Sequence, residues 1–93
     1  MDLGLKNKRV LVTGSSRGIG LTIAKHFLEE GAKVAICSRG KEQLLKAENE
    51  LLSHFPKENI LAQVCDFAQK ETVNVLVERI ENQWSGIDVV VSN

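Results

Sequence analysis

The 93-residue chain has no tyrosine, one tryptophan, three phenylalanines and two cysteines. Without a phenol, one common acid/base group is excluded from any chemistry the chain performs alone. Cys37 and Cys65 sit in apolar, strand-like runs and lack the C-x-x-C spacing of a metal or redox site. They read as two reduced, buried thiols, and no metal site is expected. Excess charge is absent too: twelve Lys and Arg balance twelve Asp and Glu, so no overall field argues for nucleic acid or an anionic membrane. No apolar run approaches the ~20 residues that span a bilayer, and no signal-peptide pattern opens the chain. A cytoplasmic location is the expectation. The length allows one domain with a small core.

What is present centres on Thr13-Gly14-Ser15-Ser16-Arg17-Gly18-Ile19-Gly20. An apolar run, Val10-Leu11-Val12, precedes it, and an amphipathic helical pattern follows. Glycines lack the side chains that would keep the backbone from turning tightly and presenting its N–H groups to a pyrophosphate. The helix behind them adds unpaired N–H groups and the positive end of its dipole. A tight strand-to-helix turn without a ligand is the plain alternative. The order of glycines, G-x-x-x-G-x-G, differs from the general G-x-G-x-x-G fingerprint.

Along the chain, strands and helices alternate. Ile19, Ile23, Ala24, Phe27 and Leu28 recur at helical spacing, and Gly31 ends that helix. Val34 to Cys37 forms a second strand. Leu44, Leu45, Leu51, Leu52 and Phe55 make the next apolar stripe, closed by Pro56. Residues 59–64 read as a third strand. Val73, Leu76, Val77, Ile80 and Trp84 mark a third helix, and 87–91 a fourth strand.

Apolar strands separated by helices indicate a parallel sheet covered on both faces. The expected fold is α/β: the first half (β-α-β-α-β-α-β) of a Rossmann-type doubly wound sheet. In the spatial order 3-2-1-4, two helices cover one face and the third covers the other. The glycine loop then lies at the switch point, beside Ser92-Asn93. Val89-Val90-Val91 is left as an outer strand with open backbone groups, so a chain truncated after its fourth strand is expected.

The stretch Thr13 to Gly20 resembles the cofactor-binding motif of the classical short-chain dehydrogenases/reductases. Cys65-Asp66-Phe67 is similar to that family's acidic position against the adenine ring. The run Asp88 to Asn93 resembles the lead into its Asn-Asn-Ala-Gly motif, with Ser92 replacing the first Asn and Asn93 matching the second. The resemblance covers nearly all 93 residues but only the first part of the family's domain. It implies a cofactor held by Gly14, Ser15, Ser16, Arg17, Gly18, Ile19 and Gly20. Asp66 and Phe67 would serve the adenine end, and Asn93 the nicotinamide ribose. Asp66 has an alternative reading as the cap of the helix starting near Gln69, and Phe67 as a packing residue.

The end of the second strand discriminates between cofactors. An acidic residue there would hydrogen-bond a ribose 2′-hydroxyl and select NAD. Ser38 and Arg39 stand there instead. A guanidinium suits a 2′-phosphate, which a carboxylate would repel, and Arg17 is a second cation within the loop. NADP is therefore expected over NAD, with Arg39 as a solvated loop cation the alternative. His26 and His54 read as surface residues, and Trp84 as core.

The family resemblance implies hydride transfer between a nicotinamide and a small-molecule carbonyl or alcohol, using a Ser and a Tyr-x-x-x-Lys pair. This chain has no tyrosine, so no catalytic residue is assigned. Two readings follow. The chain is the cofactor-binding part of an NADP-dependent reductase, homo-oligomeric when complete. Or it is a stand-alone nucleotide-binding or interaction module whose outer strand pairs with a partner.

Overall fold

In the computed structural model, which describes residues 4–14 and 18–93, the four apolar runs pair as one parallel sheet. Strands β1 (Arg9–Thr13), β2 (Lys33–Ser38), β3 (Ile60–Val64) and β4 (Val89–Val91) lie in the order β3-β2-β1-β4. Helices α1 (Gly18–Glu29), α2 (Lys41–Leu52) and α3 (Lys70–Trp84) connect them. Val12 pairs with Ile36 on one side and with Val91 on the other. The doubly wound order expected from the alternation is the observed one.

Strand side chains alternate between faces, and the two faces build separate cores. Val10, Val12, Val34, Ile36 and Ile60 pack with Ala24 and Leu28 of α1 and Leu44, Ala47 and Leu51 of α2. Leu11, Ala35, Cys37 and Leu61 pack with Cys65 and with Leu76 and Ile80 of α3. In central β2, Val34, Ala35, Ile36 and Cys37 have no exposed surface, as a strand covered on both sides requires. Each fully buried Val, Leu or Ile contributes ~1.5–3 kcal/mol. The exposed Lys25–Glu50 ion pair between α1 and α2 is of a kind worth ~0–1 kcal/mol, so burial governs this assembly.

Helix α1 ends in a Schellman motif. The Gly31 N–H donates to Leu28 C=O and the Ala32 N–H to Phe27 C=O, with Gly31 at φ +86°. That left-handed conformation favours glycine.

The structure corrects several details. Ile19 is 72% exposed and lies outside the buried stripe of Gly20, Ala24 and Leu28. Leu45, Leu52 and Val77 are exposed as well, because neighbours in a helix are rotated by about 100° and cannot share one narrow face. In α2, Ala47 completes the buried face with Leu44 and Leu51. Helix α2 stops at Leu52, and Phe55 packs from the following turn, where its N–H donates to Leu51 C=O. A 3-10 turn at Lys57–Asn59 delays β3 to Ile60, and β4 begins at Val89 rather than at residue 87. Among the described residues, no helix is long and apolar enough to cross a membrane.

Candidate functional site

β1 and β4 are neighbours, yet β1 leads into α1 on one face while β4 is reached from α3 on the other. A crevice opens at such a switch point, outside the carboxyl ends of the strands. Here a hydrogen-bonded clasp closes one side of it. The Asn93 N–H donates to Thr13 Oγ1 at 3.1 Å, and Asn93 Nδ2 donates to Gly14 C=O at 3.2 Å. Thr13 Oγ1 in turn donates to Val91 C=O at 3.4 Å. Gly14 is left-handed at φ +60°, and a Cβ there would lie 3.5 Å from the Asn93 carbonyl oxygen. A larger residue would fill the space between the loop and the strand.

A cavity of about 550 Å³ lies against this clasp. It brings together Gly14, Ser38, Arg39, Asp66, Phe67 and Asn93, six of the positions singled out from the sequence. Gly18, Ile19 and Gly20 open α1 but are not among its lining residues. Gly20 is buried on the helix face that packs on the sheet. Ser15, Ser16 and Arg17 lie outside the described residues.

Each wall has a structural cause. Ser38 ends β2, and its C=O accepts the Cys65 N–H at 2.9 Å, which joins the β2 loop to the β3 loop. Arg39 follows, exposed, with no hydrogen-bond or ion-pair partner among the described residues. Asp66 does not cap α3. Gln69 is at the cap position, while Asp66 Oδ1 accepts the Ala68 N–H at 2.9 Å and shapes its own turn. Phe67 is 56% exposed rather than packed in the core.

The cavity also takes in Thr13, Cys37, Gly40, Gln43, Cys65 and Ala68. Gln43 was not anticipated; its only signal was its place in the first turn after the β2 loop. The two thiols are not joined in a disulfide; both are buried, as expected, and line the cavity. Burial pushes the Cys37 thiol up to about 11, and nearby Cys65 pushes it the same way. It is therefore protonated at neutral pH and a poor nucleophile. His26 and His54 are exposed, and Trp84 packs on the α3 side of the sheet.

A family model described as short chain dehydrogenase matches residues 8–93. The chain belongs to that family. Its members are oxidoreductases, and several relatives share this part of the chain. Chlorophyll(ide) b reductase NOL, a chloroplastic protein of Oryza sativa subsp. japonica, is 37% identical over 84 residues, 90% of this chain and 24% of its own length. L-sorbose reductase from Gluconobacter frateurii, solved with NADPH and L-sorbose, superposes with a TM-score of 0.91 at 36% identity, over all of this chain and 35% of its own. Actinorhodin polyketide ketoreductase (F189W), solved with NADPH, gives 0.85 at 32% identity, covering 94% and 33%. This short-chain dehydrogenase chain thus has their Rossmann-type fold and spans about a quarter to a third of their length.

Proposed function

We propose that this chain is the NADP-binding portion of a short-chain oxidoreductase that moves hydride between NADP(H) and a small-molecule carbonyl or alcohol. The observation that carries the reading is the convergence of Gly14, Ser38, Arg39, Asp66, Phe67 and Asn93 on one cavity at the switch point. Its volume lies within the ~300–1,000 Å³ usual for small-molecule sites. The residues fit the cofactor on three counts. Gly14 leaves open a space that a side chain would occupy. The β2 end carries a hydroxyl and a guanidinium with no partner among the described residues, in place of a carboxylate. Asp66 lines the same cavity as the Gly14–Asn93 clasp, just past the end of a different strand.

In this reading, Ser38 and Arg39 hold the 2′-phosphate, joined by Arg17. The loop from Gly14 through Ser15 and Ser16 and the start of α1 at Gly18, Ile19 and Gly20 hold the pyrophosphate. Asp66 and Phe67 take the adenine, and Asn93 the nicotinamide ribose. The bound cofactor supplies the hydride chemistry. With no tyrosine, these 93 residues hold it without turnover. Two NADPH-bound structures among the similar proteins support the choice of cofactor.

The test is a pair of titrations, NADPH and NADH, on the chain and on Arg39→Ala. A hydrogen bond to a charged group is worth ~1.5–3 kcal/mol, roughly ten- to a hundredfold in affinity. The chain should prefer NADPH by about that factor, and Arg39→Ala should lose most of the preference. An unchanged ratio rules out the assignment of Arg39.

A further inference from the structure

We infer that Thr72 is a positioning residue for the adenine-side wall of the cleft, acting through the backbone of Asp66; the inference rests on the cofactor reading above. Thr72 lies in the first turn of α3, in the opposite direction along the chain from the glycine loop, and it does not line the cavity. Its hydroxyl nevertheless holds both polar groups of the Asp66 backbone. The Asp66 N–H donates to Thr72 Oγ1 at 2.9 Å. The hydroxyl proton has two close acceptors, Asp66 C=O and Gln69 C=O, each at 2.7 Å, and donates to one at a time. The Gln69 N–H closes the turn on Asp66 C=O at 2.8 Å, and Ala68 N–H closes it on the Asp66 carboxylate.

These bonds make the turn from 66 to 69 an extension of α3, and they set the direction in which Asp66 and Phe67 meet the cavity. One residue earlier, the Cys65 N–H is bonded to Ser38 C=O, so the same connection reaches the wall proposed for the 2′-phosphate. The Asn93–Thr13–Gly14 clasp shares no hydrogen bond with Thr72. Thr72 should therefore act on the adenine half of the ligand and leave the nicotinamide half alone.

Valine has the shape of threonine without the hydroxyl, so Thr72→Val leaves the Asp66 N–H without its acceptor, whereas Thr72→Ser keeps it. The ligand probe is adenosine 2′,5′-bisphosphate, titrated by calorimetry at a temperature where each chain is folded. Thr72→Val should weaken binding roughly fivefold, the size of one ordinary hydrogen bond. Thr72→Ser should bind within twofold of the parent. Binding of reduced nicotinamide mononucleotide, followed by NMR, should be the same in all three. Equal bisphosphate affinity in the parent and Thr72→Val overturns the inference and leaves the cofactor reading standing. So does equal weakening in the serine and valine variants, or a valine variant that no longer folds. A parent chain that binds neither the bisphosphate nor NADPH overturns the cofactor reading, and the inference with it.

Discussion

Arg9 and Asp88, 79 positions apart, close the amino ends of β1 and β4 against each other. Arg9 Nε donates to Asp88 Oδ2 at 2.9 Å and its Nη2 to Oδ1 at 3.0 Å, a two-pronged contact. The Arg9 backbone N–H donates to the same carboxylate, and the Asp88 N–H returns a bond to Arg9 C=O at 2.7 Å. Arg9 Nη1 also donates to Trp84 C=O, so the last turn of α3 is tied in. Paired planar groups of this kind hold a geometry better than a lysine could. The clasp at Thr13, Gly14 and Asn93 occupies the other end of the same two strands.

Hydrogen bonds from the Arg9 guanidinium and backbone hold the Asp88 carboxyl well below the usual carboxylate range. A depressed folded-state value means that the contribution is present above the unfolded value, about pH 4, and is lost as pH falls further. Asp88→Asn should thus be less stable than the parent at pH 7, with the gap narrowing below about pH 4. Thermal unfolding by circular dichroism at pH 7, 4 and 3 checks this. A gap that stays constant down to pH 3 would show that the pair does not titrate with folding.

Gly14 poses a choice between two effects. Replacing glycine by alanine stabilises a protein by ~0.4–1 kcal/mol through the unfolded chain when the native φ is compatible. At φ +60° it is not, and a left-handed non-glycine residue costs about 1–2 kcal/mol. The nearest contact for the new Cβ, 3.5 Å to the Asn93 carbonyl oxygen, is an ordinary one and adds little. Gly14→Ala should therefore lose on the order of 1 kcal/mol in urea unfolding, with a larger loss in NADPH affinity. A gain in stability would mean that the loop can leave the left-handed region freely.

The strand order and the division of helices between faces were legible because alternation, glycine stops and apolar runs are local signals that agree with one another. That Ser38, Arg39, Asp66 and Asn93 would line one cavity was legible for a related reason: each stands at or just past the end of a strand, where a parallel sheet opens its crevice. Other features depend on distances that local pattern does not carry. Adjacent apolar pairs such as Leu44-Leu45 and Leu51-Leu52 leave the buried member undecided until the helix docks. Asp66 fitted the rule for a cap, yet the actual start of α3 at Lys70 put it one turn too early. The Arg9–Asp88 contact and the Asn93 clasp arise from β1–β4 register, which pairs residues nearly the whole chain apart. The role of Thr72 was hidden because its partner is a backbone, which has no letter in the sequence.

The edge of β3 offers the last prediction. As an outer strand it presents open backbone groups that invite pairing with another chain. Arg79, on α3, covers part of that edge: its Nη1 donates to Ala62 C=O at 2.8 Å and to Gln63 Oε1 at 2.9 Å. Gln63 Nε2 donates in turn to Val64 C=O at 3.2 Å. Both bonds of Arg79 are exposed, so their contribution to stability falls in the lower part of the ~0.5–1.5 kcal/mol range. Their larger effect should be on association. Arg79→Ala should shift the unfolding midpoint by only a few degrees, roughly the change expected for under 1 kcal/mol in a domain of this size. The same variant should self-associate at lower concentration than the parent in sedimentation velocity runs. If the two chains sediment alike across a hundredfold range of concentration, Arg79 does not protect the edge, and its bonds serve only to fasten α3 to β3.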